Sequence, residues 1–358
     1  MTDVLDRTDD RTAPQKDART RLKIIDCDIH PSLRSVDDLN AFLPKRWQEH
    51  LKTYGSHIRN PFTSTTPYPR SAPLISRRDA WPPTGGPPGS DLPFMQHQYL
   101  DPFDIEFGIL QVLDLGVLSQ VNLDFAAALQ TAINEWQVEF FAKPDPRLKP
   151  SILVCQEDPV AAVKEIERCA ALGRHIQVNI APRANEPLGR RKYWPIYAAA
   201  EAANLPIGIH TGGYGGHVPT GSGWPSFYNE EHHSNAQTMA SMLASLVIEG
   251  GFGFVPAITW RMDQHFERFR SEVQHLKRKP SEYVRSNFWF TTQPSEEPDN
   301  AKHLRTLIEW IGFDRLLFSS DYPHWDFDDP RYAFKTPLTE AERKLLFNAN
   351  ARAVYRFD

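Results

Sequence analysis

The chain has 358 residues, 41% hydrophobic and 24% charged, a balance that excludes a disordered chain and supplies enough apolar side chain for a buried core. A net charge of −5 argues against nucleic acid or an anionic membrane as the main partner. No run approaches the ~18 apolar residues of a membrane helix, the charged first turn of sequence lacks a secretory apolar core, and Cys27, Cys155 and Cys169 are too scattered for a disulfide framework.

These features read as a soluble, cytoplasmic chain. Residues 1–21, rich in Asp and Arg, read as a disordered tail, and residues 22–358 as one domain. The run RLKIIDCDIH opens that domain as a strand with charged residues at its tip. Residues 56–98 follow, with nine prolines and little periodicity. A stretch this long without regular structure is functional or disordered, here a substrate lid or a surface arm. ILQVLD (Ile109–Asp114) then predicts a strand. Asn122–Ala142 predicts a helix, with Phe125, Leu129, Ala132, Ile133, Trp136 and Phe140 at the 3.6-residue period.

KPSILVC is the next strand, followed by a helix with Asp158 as N-cap and Gly173 as C-cap. HIQVNIA, the helix RRKYWPIYAAAEAAN and the strand LPIGIHTGG come after it. NFWFTTQ, the helix AKHLRTLIEWIG, the strand RLLFSSD and the helix TEAERKLLFNANARAVY complete the series. Seven clear strands alternate with helices, and SLVIEGG supplies a doubtful eighth. Alternation of this kind predicts βαβ units around a parallel sheet. No G-x-G-x-x-G follows the first strand, so a dinucleotide-binding fold is disfavoured. The expected class is α/β, a (β/α)8 barrel like that of triosephosphate isomerase.

The chemistry sits at the strand tips. Strict alternation sends Asp26, Asp28 and His30 to one face of the first strand, with Cys27 and Ile29 on the other. A buried carboxylate there needs a partner, a hydrogen bond or a cation. The strand IGIH ends at His210 before Thr211 and a run of glycines. The last strand ends at Asp321, with His324 three residues on. Two carboxylates and two imidazoles at three tips suit Zn²⁺, Mn²⁺ or Fe²⁺. D-x-H alone says little; the joint placement says more.

DCDIH, IGIHTGG, EGGFGFVPAITWRMD, FTTQP and FSSDYPHWD resemble the amidohydrolase-related family of metal-dependent barrels. That family includes decarboxylases of aminocarboxymuconate semialdehyde and of dihydroxybenzoates. The resemblance runs over residues 22 to 357, through the closing NANARAVYRF. It implies that Asp28, His30, His210 and Asp321 are metal ligands, with Asp28 in place of the usual first His or Glu. Where many members carry a sixth-strand His, this chain offers Glu249. The helical run NAQTMASMLASLVIEG enters GGFGF directly, which leaves the sixth strand irregular, fused to the helix or missing. HIQVNIA has no Lys, so a carboxylated-lysine bridge between two metals is excluded.

The first expectation is therefore a metal-dependent hydrolase of a small organic acid, ester or amide. One divalent ion, Zn²⁺, Mn²⁺ or Fe²⁺, would activate water, Asp321 would take its proton, and Glu249 or His324 would donate one to the leaving group. Arg183, Arg261 and Gln293 are candidates for binding a substrate carboxylate. The alternatives are a non-oxidative decarboxylase, a dinuclear iron or manganese oxygenase, and a degenerate barrel serving an active homologue. The dinuclear reading adds His233 and Glu249 as ligands, with Asp28 bridging two ions through its two oxygens. A small-molecule substrate and a homo-oligomer, or a pair with a related chain, complete the expectation.

Overall fold

The computed structural model describes residues 22–55, 73–113, 117, 120–211, 220, 221, 223–225, 227–245, 252–271, 273–295 and 298–357. The tail, most of the glycine run after His210, and residues 246–251 lie outside the described residues, and with them Glu249 and the question of a sixth strand.

Seven strands appear among the described residues: β1 (Ile24–Ile29), β2 (Ile105–Leu110), β3 (Leu148–Leu153), β4 (Gln177–Ile180), β5 (Ile207–Ile209), β6 (Phe290–Thr291) and β7 (Leu316–Leu317). Between β1 and β2 lie α1 (Lys45–Tyr54) and α2 (Leu92–Met95). The helices α3 (Leu123–Gln137), α4 (Pro159–Leu172) and α5 (Trp194–Ala202) each link consecutive strands. After β5 come α6 (Tyr228–Ser245), α7 (Val255–Arg268) and α8 (Pro280–Asn287). α9 (Ala301–Ile311) joins β6 to β7, and α10 (Glu340–Lys344) and α11 (Asn350–Tyr355) close the chain. No helix among the described residues is long and apolar enough to cross a membrane.

Local chemistry sets the helix ends. Asn122 caps α3 by accepting from Phe125 N at 3.2 Å, and Asp158 caps α4 by accepting from Val160 and Ala161 N. Gly173 ends α4 at φ +63°, where a side chain would be strained. The Asp158 and Gly173 caps fall where the sequence predicts them.

β2 begins and ends four residues earlier than the apolar run suggested. Two residues that interrupt the pattern are accommodated. Glu106 pairs with Arg352 at 2.7 Å and accepts from Asn348 at 2.9 Å. Gly108 lets β1 close in, since a Cβ there would stand 2.5 Å from Ile29 Cδ1.

The five strands β1 to β5 form one parallel sheet in chain order, and β6 pairs with β7. The two sheets join through the residues just after β7. Cys27 N donates to Phe318 O at 3.0 Å and His30 N to Tyr322 O at 2.8 Å. The sheet also curls. Ile25 and Cys27 of β1, Ile109 of β2 and Leu317 of β7 share one small core with Ile176 and Trp289, the residues leading to β4 and β6. Side chains from so many strands meet only if the sheet wraps around them. Ala351, Val354 and Tyr355 of α11 and Phe357 pack against this interior core. The architecture is α/β and barrel-like, a curled parallel sheet of five strands with a two-stranded sheet joined to it.

Outside the sheet, α3 does something its apolar period does not announce. The β2–β3 ladder ends at Leu110 and Pro150. Beyond it, main-chain groups of β3 are taken by amide side chains of α3. Asn134 accepts from Leu153 N at 2.9 Å and donates to Leu153 O at 3.0 Å. Gln137 donates to Ser151 O, and Gln130 accepts from Cys155 N. Three buried amides at helical spacing substitute for a strand neighbour, as buried backbone groups require.

His175 lies against the same network, its Nε2 3.3 Å from Asn134 O. Burial pulls its imidazole down to about 4 from an ordinary 6.5. The folded protein therefore binds fewer protons than the unfolded chain between those values. Stability contributed by neutral His175 is complete above pH 6.5 and is lost as pH falls toward 4, by about 3 kcal/mol in all. Unfolding free energies of wild type and His175→Gln, measured across this window, should converge as the pH falls. Parallel curves would show that His175 does not titrate in this range.

The later part of the proline-rich insertion sits where a barrel would place it. Arg77 N donates to Pro323 O, Trp325 N to Ile75 O, and Ser32 N to Gly89 O, so residues 73–98 lie against the C-terminal ends of β1 and β7.

Candidate metal centre

β1 does not alternate to its end. Its register with β2 slips between Asp26 and Ile29. The side chains show the consequence. Ile25 and Cys27 enter the interior core, whereas Ile29 packs outward with Tyr99, Leu110 and Tyr322. One extra residue in a strand is a β-bulge, and it reverses every face beyond it. Asp26 therefore points outward, toward Tyr99, while Asp28 and His30 point into the barrel. The expectation that all three share a face is corrected by the bulge.

Asp28 and His30 meet His210, just after β5, and Asp321, beyond β7. One ligand atom from each of the four lies within 4.8 Å of every other. β5 is four strands away from β1 in the sheet, so the meeting takes place across the barrel interior. Asp321 adopts φ +61°, a left-handed conformation unusual for a side-chain-bearing residue. Its main chain is anchored by His324 N, which donates to Asp321 O at 2.7 Å.

The donor set fits a cation. His30 Nδ1 lies 2.8 Å from Gln111 O, and His210 Nδ1 lies 2.5 Å from Thr211 O. A carbonyl can only accept, so both Nδ1 atoms carry protons and both Nε2 atoms face the centre, where the neutral ring would offer its lone pair to a metal ion. His30 Nε2 is 2.7 Å from Asp321 Oδ1 and 3.2 Å from Asp28 Oδ1, and His210 Nε2 is 3.5 Å from Asp28 Oδ2. Nitrogen and carboxylate oxygen at these separations share positive charge, a proton on the imidazole or a metal ion in its place. Asp28 Oδ1 is buried and accepts no hydrogen bond, an orphan in a purely protein centre.

Ionisation tells the same story. Burial works against the charged forms of all three groups, yet His30 and His210 hold the Asp28 carboxyl well below the usual range. His324 and His30 do the same for Asp321. Asp28 and Asp321 in turn raise the His30 imidazole well above its ordinary value, again in spite of burial. The two carboxylates stay ionised and draw positive charge, which a metal ion on the four residues could supply.

The flanks add groups of their own. His324 Nδ1 is 2.5 Å from Asp321 Oδ1, and its ring tilts over His30 at 4.5 Å between centroids. Asp326 carries no signal in the sequence that marks it as a site residue. Burial and then the Asp321 charge push its carboxyl up to about 6, opposed by His324 and His232, and His232 Nε2 lies 3.8 Å away. No spacing rule marked it, because it becomes acidic-site material only through the turn after β7.

The other predicted residues are dispersed. Gln293 is buried at the C-terminal end of β6, with its amide donating to Asp326 O at 3.2 Å. Arg183 reaches Ser234 and Asn235 of α6. Arg261 is exposed on α7, where neighbouring Trp260 packs edge-on to Trp310 of α9 in the outer layer. His233 is exposed on α6 and stands outside the four-residue group. Among the described residues, this is one metal-capable group, with no second beside it. A cavity of about 500 Å³ lies on the Trp325 side of the same turn. Its arginines, Arg77 and Arg331, are neutralised by Asp79 and Asp329.

Comparison with known proteins extends this picture. The family model described as Amidohydrolase matches residues 25–357. A gamma-resorcylate decarboxylase of Polaromonas sp. is 28% identical over 308 residues, 76% of this chain and 92% of that protein. The structure of a 5-carboxyvanillate decarboxylase from Sphingomonas paucimobilis superposes with a TM-score of 0.68 at 19% identity, covering 94% of this chain and 100% of that one. A dihydroxybenzoic acid decarboxylase from Polaromonas sp., with bound manganese and the inhibitor 2-nitroresorcinol, gives a TM-score of 0.63 at 20% identity, covering 94% and 97%. At such identities the structural likeness is one of fold.

Proposed function

This chain belongs to the amidohydrolase family, and from that premise we propose that it is a metal-dependent, non-oxidative decarboxylase of a hydroxylated aromatic carboxylate. The observation that carries the reading is the convergence of Asp28, His30, His210 and Asp321 in a chain alignable with nearly the whole of a gamma-resorcylate decarboxylase. The hydrolase expectation yields to it, because the named relatives favour loss of a carboxyl group over attack of water. The closure of β7 on β1 and the seven described strands support a (β/α)8 barrel beneath the site.

The four residues would hold one divalent ion, and manganese, zinc or iron suits two carboxylates and two imidazoles. Bound there, such an ion supplies a Lewis acid for the oxygens of the substrate. The chain's own task is proton transfer. Decarboxylation replaces CO₂ by a proton on the same ring carbon: the C–H bond forms, the C–C bond breaks, and its electron pair restores the aromatic ring. Asp321 and His324, hydrogen-bonded to each other, supply the proton and recover it from solvent. No redox partner is required.

The test is direct. Manganese-loaded protein is incubated with a panel of hydroxybenzoates, and CO₂ release is measured with lactone and ester hydrolysis in parallel. CO₂ and the matching phenol should appear in equal amounts. Ester or lactone hydrolysis without CO₂ release would restore the hydrolase reading.

A further inference from the structure

The outward-facing Asp26 has no place in the reaction, yet it is fully buried and accepts four hydrogen bonds from three parts of the chain. Its Oδ1 takes Asp28 N at 3.1 Å and Ser320 N at 3.0 Å. Its Oδ2 takes Ser320 Oγ at 2.5 Å and Tyr99 Oη at 2.6 Å. Two of those donors belong to the backbone of a proposed ligand or its immediate neighbour. Asp28 N lies inside the β1 bulge, and Ser320 precedes Asp321 at the residue where the chain turns left-handed. Ser320 Oγ also accepts from Tyr322 N at 3.2 Å, on the far side of Asp321.

We propose that Asp26 is a positioning residue for the metal centre, clamping from behind the barrel wall the two backbone irregularities that aim the Asp28 and Asp321 carboxylates. A bulge and a positive φ are each conformations the chain would relax if left unheld. A single carboxylate tying both together fixes the separation of two ligands that come from opposite ends of the sequence. Tyr99, in the helical turn that ends the insertion (Gln96–Leu100), completes the clamp. Its ring is stacked on Tyr322 at 4.7 Å between centroids, so the fourth hydrogen bond reaches the same turn. An outer residue of this kind typically changes metal affinity by about 10–100-fold when altered.

The inference rests on the metal reading of the four-residue group, and its test needs no substrate. Asp26→Asn keeps the shape but replaces one acceptor oxygen by an NH₂, which cannot accept from Ser320 or Tyr99. Manganese affinity is measured by titration of metal-stripped protein, and the cobalt-substituted protein is examined by its visible ligand-field spectrum. Asp26→Asn should bind manganese about 10–100-fold more weakly and show a shifted cobalt spectrum, with all four ligands present. Ser320→Ala and Tyr99→Phe each remove one donor without touching the ligands, and should weaken binding by smaller steps in the same direction. These two carry the test if Asp26→Asn does not fold. Wild-type affinity and an unaltered cobalt spectrum in the variants would overturn the clamp. Absence of manganese and cobalt binding in wild type would instead overturn the metal reading itself.

Discussion

Replacing His210 with alanine is expected to give a folded barrel that retains no metal through dialysis and has lost catalysis. His210 is the one member of the group supplied from the far side of the barrel. Asp28, His30 and Asp321 all come from β1 and the turn after β7, which are hydrogen-bonded neighbours. Without His210 the remaining ligands occupy one wall, and an ion has no partner opposite. The ring faces the polar centre beside Asp28 and His30 rather than an apolar core, so its removal takes little hydrophobic packing from the barrel. Its Nδ1 hydrogen bond to Thr211 O is a local one, to the next residue in the chain. Elemental analysis should show the metal lost while circular dichroism is unchanged. Turnover should fall by at least ~10²–10³-fold, the scale of losing electrostatic stabilisation at a reacting oxygen. Full metal occupancy in this variant would remove His210 from the ligand set.

The positions of these four residues were legible because charge at the tip of an apolar strand is a local signal. An Asp or His there must find a partner whatever the rest of the chain does. The strand β1 shows where that legibility stops. DCDIH alternates on paper, but a bulge depends on the partner strand, and nothing in five residues says that β2 advances by two while β1 advances by three. Asp26 therefore reads as a companion of Asp28 when it is the support behind it.

Gln130, Asn134 and Gln137 fail to announce themselves for a different reason. A polar stripe at helical spacing is ordinarily the solvated face, and only the early end of the β2–β3 ladder gives it buried work. Arg261 and His233 illustrate the converse. Arg261 is a candidate for binding a substrate carboxylate and His233 a candidate ligand of a second ion, and both are exposed on their helices, outside the group of four. Residue type proposes chemistry, and tertiary geometry decides which of the candidates meet.

The second large effect should come from His324, which donates no ligand atom to the group of four. Its Nδ1 sits 2.5 Å from Asp321 Oδ1, while the same oxygen lies 2.7 Å from His30 Nε2. Asp321 thus stands between a ligand histidine and a histidine outside the ligand set, and only the latter can exchange protons without dismantling the centre. The His324 main chain separately anchors Asp321 O, a bond that substitution of the side chain leaves in place. His324→Gln should therefore keep the metal, as elemental analysis would show, and keep Asp321 in its left-handed turn. What it removes, under the proposed mechanism, is the imidazole that would return a proton to Asp321 after each turnover. With substrate bound as before, kcat should fall by about 10²–10⁴-fold with little change in KM, the contribution expected of a placed proton-transfer group. Asp321→Asn should lose as much or more, and the double variant should lose little beyond the worse single, because the two residues act as one unit. Additive losses would mean that His324 and Asp321 serve separate steps, and a wild-type kcat in His324→Gln would place the proton source elsewhere.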